Sequence, residues 1–157
     1  MFKNLLYRFM VTATLAGVVL SNVSAAENSC MPIGGLGMAD FVPRGDGTMT
    51  IVAPLTGSVS ATSGRITAQR KTPTGLEMDM EHYFMTNKGG FMHTKDRAVL
   101  SSVTGKKDRY MIEIAYVVQE ASTAGVLKGY KGGFRSYGLV DLENLEGLIR
   151  YSGEICK

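Results

Sequence analysis

The sequence lacks any second hydrophobic run long enough to span a membrane; its one long apolar stretch is residues 9–20. Lys3 and Arg8 give the segment around the start of this stretch a positive charge, and Val23-Ser24-Ala25 places small residues at positions −3 and −1 of a cleavage site. These features predict a signal peptide over residues 1–25 and a single mature domain over residues 26–157. We expect that domain to be periplasmic or secreted, with no membrane span after cleavage.

A large excess of charge of one sign is also missing. The chain has 17 Lys and Arg residues against 14 Asp and Glu residues, and removal of Lys3 and Arg8 with the leader reduces the net charge from +3 to +1. A nucleic-acid-binding domain needs a basic stripe that neutralises phosphates. The balance therefore argues against nucleic acid as a partner.

Cysteine is scarce, and the two residues present stand near the two ends of the mature chain, at Cys30 and Cys156. In an oxidising compartment, an even number of cysteines indicates a disulfide. Two free thiols are the alternative. The absence of a Cys-x-x-Cys motif argues against a redox role. Neither cysteine has a histidine near it in the sequence, which argues against a metal site formed by the two cysteines. The residues before Cys30 do not resemble a lipidation motif.

No segment of ten or more residues has the 3.6-residue apolar period of an amphipathic helix. Glycine, at 19 of 157 positions, instead punctuates short runs of alternating or β-branched residues. These runs predict strands at 48–52, 58–69, 76–85, 91–102, 110–120, 125–130, 133–142 and 148–156, of which 125–130 has the weakest pattern. Residues 32–37 are interpreted as irregular, residues 39–47 as a loop, and Gly64 as a bulge.

Turn-sized connections between these strands favour neighbours that pair in sequence order. A disulfide between the chain ends fits a seam at which the first and last strands meet, which leaves no open edge. The sequence therefore predicts an all-β fold, a single antiparallel barrel of seven or eight strands with its termini tied by Cys30 and Cys156.

The run at 76–85 gives the clearest separation of faces. Alternation with a period of two places its acidic side chains in water and Met78, Met80, His82 and Phe84 inside. Thioether and imidazole groups suit Cu(I), so a copper site is one hypothesis, with Met78, Met80 and His82 as ligands and the neighbouring residues Met92 and His93 to complete it. The alternative is that the methionines fill the core and His82 makes a buried hydrogen bond. In that case no cofactor is expected.

Familiar catalytic motifs are absent: the chain has no Gly-x-Ser-x-Gly, no His-Glu-x-x-His and no glycine-rich phosphate loop before a helix. We therefore favour a protein without enzymatic activity. A proton-transfer site built from His82 or His93 with Asp96 or Glu113 is an alternative, because a carboxylate close to a histidine tunes it for acid–base chemistry. Such a protein would be a cyclase- or isomerase-type barrel enzyme.

Residues 85–100 and 129–156, the latter with the sequence Gly-Tyr-Lys-Gly-Gly-Phe-Arg-Ser-Tyr-Gly, resemble small secreted bacterial β-barrel domains of unknown function. Those domains are similar in outline to barrels of the allene-oxide-cyclase or calycin kind, in which Gly-x-Phe-x-x-x-Gly strands line a closing seam. The resemblance implies a barrel with a small apolar cavity. It implies no catalytic residue.

The leading functional hypothesis is a secreted, non-enzymatic barrel that binds a small apolar or amphipathic ligand, or a loop of a periplasmic partner protein, at its mouth. The predicted ligand-lining side chains are His82, Phe84, Phe91, Tyr116, Phe134 and Tyr151. Plugging of a hydrolase cleft by the loop at residues 105–109 is a further alternative.

Overall fold

The structure is a computed structural model that describes residues 29–157, so the predicted signal peptide lies outside the described residues. The elements are β1 (Cys30–Pro43), β2 (Met49–Pro54), β3 (Ala61–Thr72), β4 (Gly75–Met85), β5 (Phe91–Ser102), β6 (Arg109–Ala124), a 3-10 helix (Gly125–Leu127), β7 (Lys131–Asp141) and β8 (Glu146–Cys156). No helix in this part of the chain is long and apolar enough to cross a membrane.

The eight strands form a closed barrel in sequence order, and every neighbouring pair is antiparallel. The seam is the pairing of β1 with β8, which runs over eleven residue pairs from Cys30 opposite Cys156 to Asp40 opposite Glu146. The two cysteines form a disulfide across this seam. The predicted barrel class and the predicted disulfide are therefore both confirmed.

Strand β1 is the main element that sequence reasoning missed, since residues 32–37 and the first part of 39–47 were interpreted as irregular or loop. Its glycines are needed because other chain segments approach it closely. A Cβ atom on Gly35 would overlap the carbonyl oxygen of Thr56, and one on Gly37 would overlap the side chain of Leu55. A glycine within a strand often marks a position where another part of the chain approaches this closely.

The predicted strand at 125–130 is wrong, and so is the bulge at Gly64. Gly125 and Gly129 have φ angles of +58° and +82°, which a strand does not use, and the segment forms the short helix and a turn. Gly64 pairs in regular register with His82. The register shift in β3 falls instead between Ile66 and Ala68.

The barrel has two distinct ends. At one end, which we call the mouth, the two termini meet the loops at residues 55–60, 86–90 and 125–130. The short turns at 44–48, 73–74, 103–108 and 142–145 lie at the opposite end. Inward side chains from all eight strands form one core, in which Met92, Ile155 and Ala98 are completely buried.

Candidate functional site

A buried histidine–carboxylate pair lies inside the barrel on the adjacent strands β4 and β5. His82 Nδ1 is 2.7 Å from Asp96 Oδ2, and the two side chains are 4% and 0% exposed. In the register, His82 faces Thr94 and Asp96 faces Met80, so the pair joins the two strands diagonally. The hydrogen bond fixes the imidazole orientation and leaves Nε2 as the free ring nitrogen.

Two hydroxyl groups extend this polar set across the lumen. The hydroxyls of Tyr116 on β6 and Ser136 on β7 lie 3.0 Å apart and are buried, and the Tyr116 ring meets His82 edge-on with a centroid distance of 5.4 Å. Burial raises the pKa of the Tyr116 phenol far above its ordinary 10.0, against the lowering effect of its hydrogen bond with Ser136. Tyr116 is therefore a neutral phenol at physiological pH.

The space beside His82 is small. A cavity of about 30 Å³ is bounded by His82, Tyr116, Met80 and apolar side chains of the surrounding strands. This volume holds about one water molecule, whereas a pocket for a small-molecule ligand has on the order of ten times that volume. The cavity beside the buried pair therefore has room for about one water molecule and is too small for a small-molecule substrate.

Gly64 on β3 provides the space that the imidazole occupies. A Cβ atom at this position would lie 2.6 Å from His82 Nε2, closer than side chains tolerate. The role could not be read from the sequence, because a glycine within a strand indicates either a bulge or a close approach without distinguishing them.

Five of the six predicted ligand-lining residues lie in the lumen, and they pack on each other there. The rings of Phe84, Tyr116 and Phe134 have centroid distances of 4.5 to 5.4 Å, and Tyr151 lies 6.2 Å from Phe134. Together with His82 they fill the interior, as side chains commonly do in eight-stranded barrels.

The sixth residue, Phe91, lies on the outer face. Its ring stacks with Tyr83 at a centroid distance of 6.0 Å, and Tyr83 also stacks on His93 at 4.7 Å. His93 Nε2 is 4.0 Å from the carboxylate of Glu81, whose pKa is lowered mainly by a hydrogen bond from Arg65. These residues form an aromatic and charged strip on the outside of the wall, separate from the lumen.

The proposed copper ligands are divided by the fold. Met78, Met80, His82 and Met92 are buried inside, whereas His93 belongs to the outer face. Met92 pairs with Phe84, six residues along β4 from Met78, a distance of roughly 20 Å. Met78 and Met92 therefore cannot ligate the same ion. Met80 and His82 remain neighbours, and the copper hypothesis depends on these two.

The four candidate acid–base residues are divided in the same way. His82 and Asp96 meet inside the barrel, while His93 lies outside on Tyr83. Glu113 also points outward from β6, where Arg135 donates a hydrogen bond of 2.6 Å to its carboxylate. No arrangement within one site can use all four.

The mouth of the barrel carries a larger depression, of about 390 Å³. Its lining residues are Met31, Gly57, Ser58, Val59, Ser60, Thr86, Asn87, Lys88, Val126 and Leu127. Val59 and Leu127 are buried and form part of an apolar floor, and Val126 is 50% exposed. A volume of this size is within the range of small-molecule sites.

A buried tyrosine holds one wall of this depression in place. The hydroxyl of Tyr151 donates a hydrogen bond of 2.6 Å to the carbonyl of Thr56 and accepts one of 3.4 Å from the amide of Val59. The loop at 55–60 is thereby tied to the core of the barrel. Part of the floor and this wall thus rest on well-packed interior residues.

The opposite rim is polar. The turn at 86–90 is closed by Thr86, whose hydroxyl accepts a hydrogen bond of 2.8 Å from the amide of Gly90. Lys88, in the same turn, forms no ion pair with any residue in the range 29–157. Sequence reasoning identified this segment only as a turn, because its contacts come from loops distant along the chain.

Comparisons of the chain with protein-family models, with curated proteins and with solved structures found no match.

Proposed function

We propose that this protein is a secreted, non-enzymatic barrel that binds a small amphipathic molecule at its mouth, with an apolar body on the floor and an acidic group at Lys88. The observation that carries the proposal is the depression of about 390 Å³, which combines an apolar floor with an ammonium group that has no partner among residues 29–157.

The floor supplies the apolar half of this recognition. Val59 and Leu127 close it from below, and Met31 packs against the core beside them. Val126, half exposed at the edge, would be covered by a bound apolar chain. Removal of such surface from water is favourable by about 25 cal/mol per Å².

The rim supplies the specificity. Lys88 would meet a carboxylate, phosphate or sulfate head group through its ammonium group. The filled lumen supports the mouth as the binding site, because the interior cavity of about 30 Å³ excludes a ligand of this size.

The test uses a fluorescent long-chain fatty acid and its methyl ester as probes. The mature protein should bind the acid with a Kd in the micromolar range and the ester more weakly. Lys88→Gln should weaken binding of the acid about fivefold, the effect of losing an exposed ion pair of up to about 1 kcal/mol, and leave the ester unchanged. Val126→Asp should weaken both probes.

Lys131→Gln is the matched control, because Lys131 is exposed at the same end of the barrel but does not line the depression. Equal effects of Lys88→Gln and Lys131→Gln on the acid would contradict the proposal, as would failure of both probes to bind. Native mass spectrometry of protein purified from its own host provides a second test. It should show a co-purifying adduct that Val126→Asp removes.

A further inference from the structure

A row of exposed apolar side chains crosses the outer wall of four adjacent strands. Its members, in order from β1 through β8 and β7 to β6, are Met38, Leu148, Leu139 and Met111. Each pairs directly with the next in the register, so their side chains stand side by side on one face. Their exposed fractions are 70%, 56%, 51% and 52%. We call this set the apolar row.

The apolar row is flanked by charges of opposite sign along two of its strands. The outward residues of β8 are Glu146, Leu148 and Arg150 in succession, so an acid and a base lie on either side of the leucine. Glu146 and Arg150 form no ion pair with any residue in the described chain. A free acid and a free base thus border the exposed leucine.

The same alternation occurs in the reverse order on β6, where Arg109 and Glu113 lie on either side of Met111. These two charges already pair within the chain, with Asp141 and Arg135 respectively. Strand β6 therefore repeats the self-complementary pattern, with charges that can interact with a second copy while they keep their partners within the chain.

We propose that the apolar row is the interface of a homodimer, whose two-fold axis runs along the row. Rotation about that axis reverses the strand direction and leaves the position along the row unchanged. Leu148 then meets Leu148 of the second copy, Glu146 meets Arg150, and Arg150 meets Glu146. An isologous interface of this kind needs a surface that complements itself, which this pattern provides.

The same rotation places Arg109 opposite Glu113 of the second copy on β6, so both charged strands agree with one axis. A rotation about an axis parallel to the strands would instead bring Glu146 close to Asp141 of the other copy, because β8 and β7 would exchange places. Two acids facing each other would be unfavourable. That axis would also place Asp40 opposite Arg109, an opposite-charge pair, whereas the axis along the row forms two kinds of opposite-charge pair and no like-charge pair. Charge therefore favours the axis along the row.

The shape of the wall permits this contact. Four strands spaced about 4.8 Å apart make a row on the order of 14 Å long, and the tilt of strands in such barrels makes this direction only gently curved. The outer members are methionines, which are longer and more flexible than leucine and compensate for the curvature. The row also borders an external depression of about 310 Å³, which leaves room for side chains of the second copy.

The surface that the apolar row and its flanking charges can bury is small for a permanent dimer, since stable interfaces bury about 1,200 Å² or more in total. We therefore expect a reversible dimer with a Kd of about 10 to 100 µM, measured by sedimentation equilibrium of the mature protein at neutral pH and low salt. Because this wall lies apart from the mouth, the dimer is independent of the ligand proposed there.

The charge pair gives the decisive experiment. Glu146→Arg and Arg150→Glu should each raise the dimer Kd at least tenfold, because like charges then face each other across the axis. The double variant Glu146→Arg/Arg150→Glu restores opposite charges and should return the Kd to within about threefold of the original. Leu148→Asp should abolish the dimer. All of these side chains are exposed, and circular dichroism verifies that each variant is folded.

Glu154→Arg serves as the control, since it makes the same charge change on the outer face of β8 away from the apolar row, and it should leave the Kd unchanged. A chain that remains monomeric at 1 mM would overturn the proposal. So would a dimer that tolerates Glu146→Arg, or one that the double variant fails to restore. Those last two outcomes would mean that another surface holds the copies together.

Discussion

Removal of the Cys30–Cys156 disulfide should reduce the free energy of unfolding by about 5 kcal/mol, because the bond closes a loop with a sequence separation of 126 residues. The relevant change is in the unfolded chain, whose conformational entropy the bond restricts. The folded barrel should change little, since eleven residue pairs hold β1 to β8 without the bond.

The experiment compares the mature protein with the double variant Cys30→Ser/Cys156→Ser in urea. The midpoint should fall, and the slope of the free energy against urea should rise, because the open unfolded chain exposes more surface. Wild-type protein reduced and then alkylated serves as a second form without the bond. Its stability should match that of the double variant to within about 1 kcal/mol, because each of the two substitutions near the surface should change stability by no more than about 0.5 kcal/mol.

Near-ultraviolet circular dichroism of the double variant should remain that of the native barrel. A loss of less than about 1 kcal/mol would refute the entropic reasoning, since it would mean that the open unfolded chain already keeps its ends together. Loss of the native spectrum would refute the statement that the seam is held by strand pairing alone.

Three further predictions concern Asp96, Gly64 and Asp141. Asp96→Leu should lower the free energy of unfolding by about 3 kcal/mol, because it leaves His82 Nδ1 buried without an acceptor, and Asp96→Asn should cost about 1 kcal/mol; equal losses in urea unfolding would contradict this. Gly64→Ala should cost about 2 kcal/mol through overpacking and shift the imidazole resonances of His82 in NMR spectra; unchanged resonances would show that the methyl group fits. The pKa of Asp141 is held below its ordinary 3.8, first by the hydrogen bond from the backbone amide of Asn144. The stability that ionised Asp141 contributes is therefore complete above about pH 4 and is lost as the pH falls below that value. The stability difference between wild type and Asp141→Ala should therefore shrink between pH 7 and pH 3, and a constant difference would contradict the assignment.

The barrel could be predicted because most strands carry local signals: alternation, β-branched residues and turns rich in glycine. The alternating faces of β4 were predicted correctly, including the inward position of His82. Strand β1 was missed because its glycines, such as Gly35, are required by close contacts with the loop at 55–60, which is distant in the sequence. These glycines interrupt the alternation of apolar and polar residues that would have indicated a strand. Strand count was right although one predicted strand is a helical turn and one real strand was absent from the prediction.

The candidate site was less accessible to sequence reasoning. The pairing of His82 with Asp96 depends on the register between two strands, which local patterns do not encode. The mouth is assembled from three loops that are distant along the chain, so no motif marks it. The apolar row also exists only after β1 and β8 meet, because its members come from four strands.

The seam between β1 and β8 joins the first strand of the barrel to the last one that the ribosome makes. Until β8 is in place, β1 is held on one side by four residue pairs with β2, the bridge from Gly37 to Leu55 and hydrogen bonds from the loop at 55–60, and its other backbone edge remains open to water. A chain truncated before β8 would keep this unpaired edge permanently, so removal of the C-terminal strand should be more harmful than shortening of any surface turn.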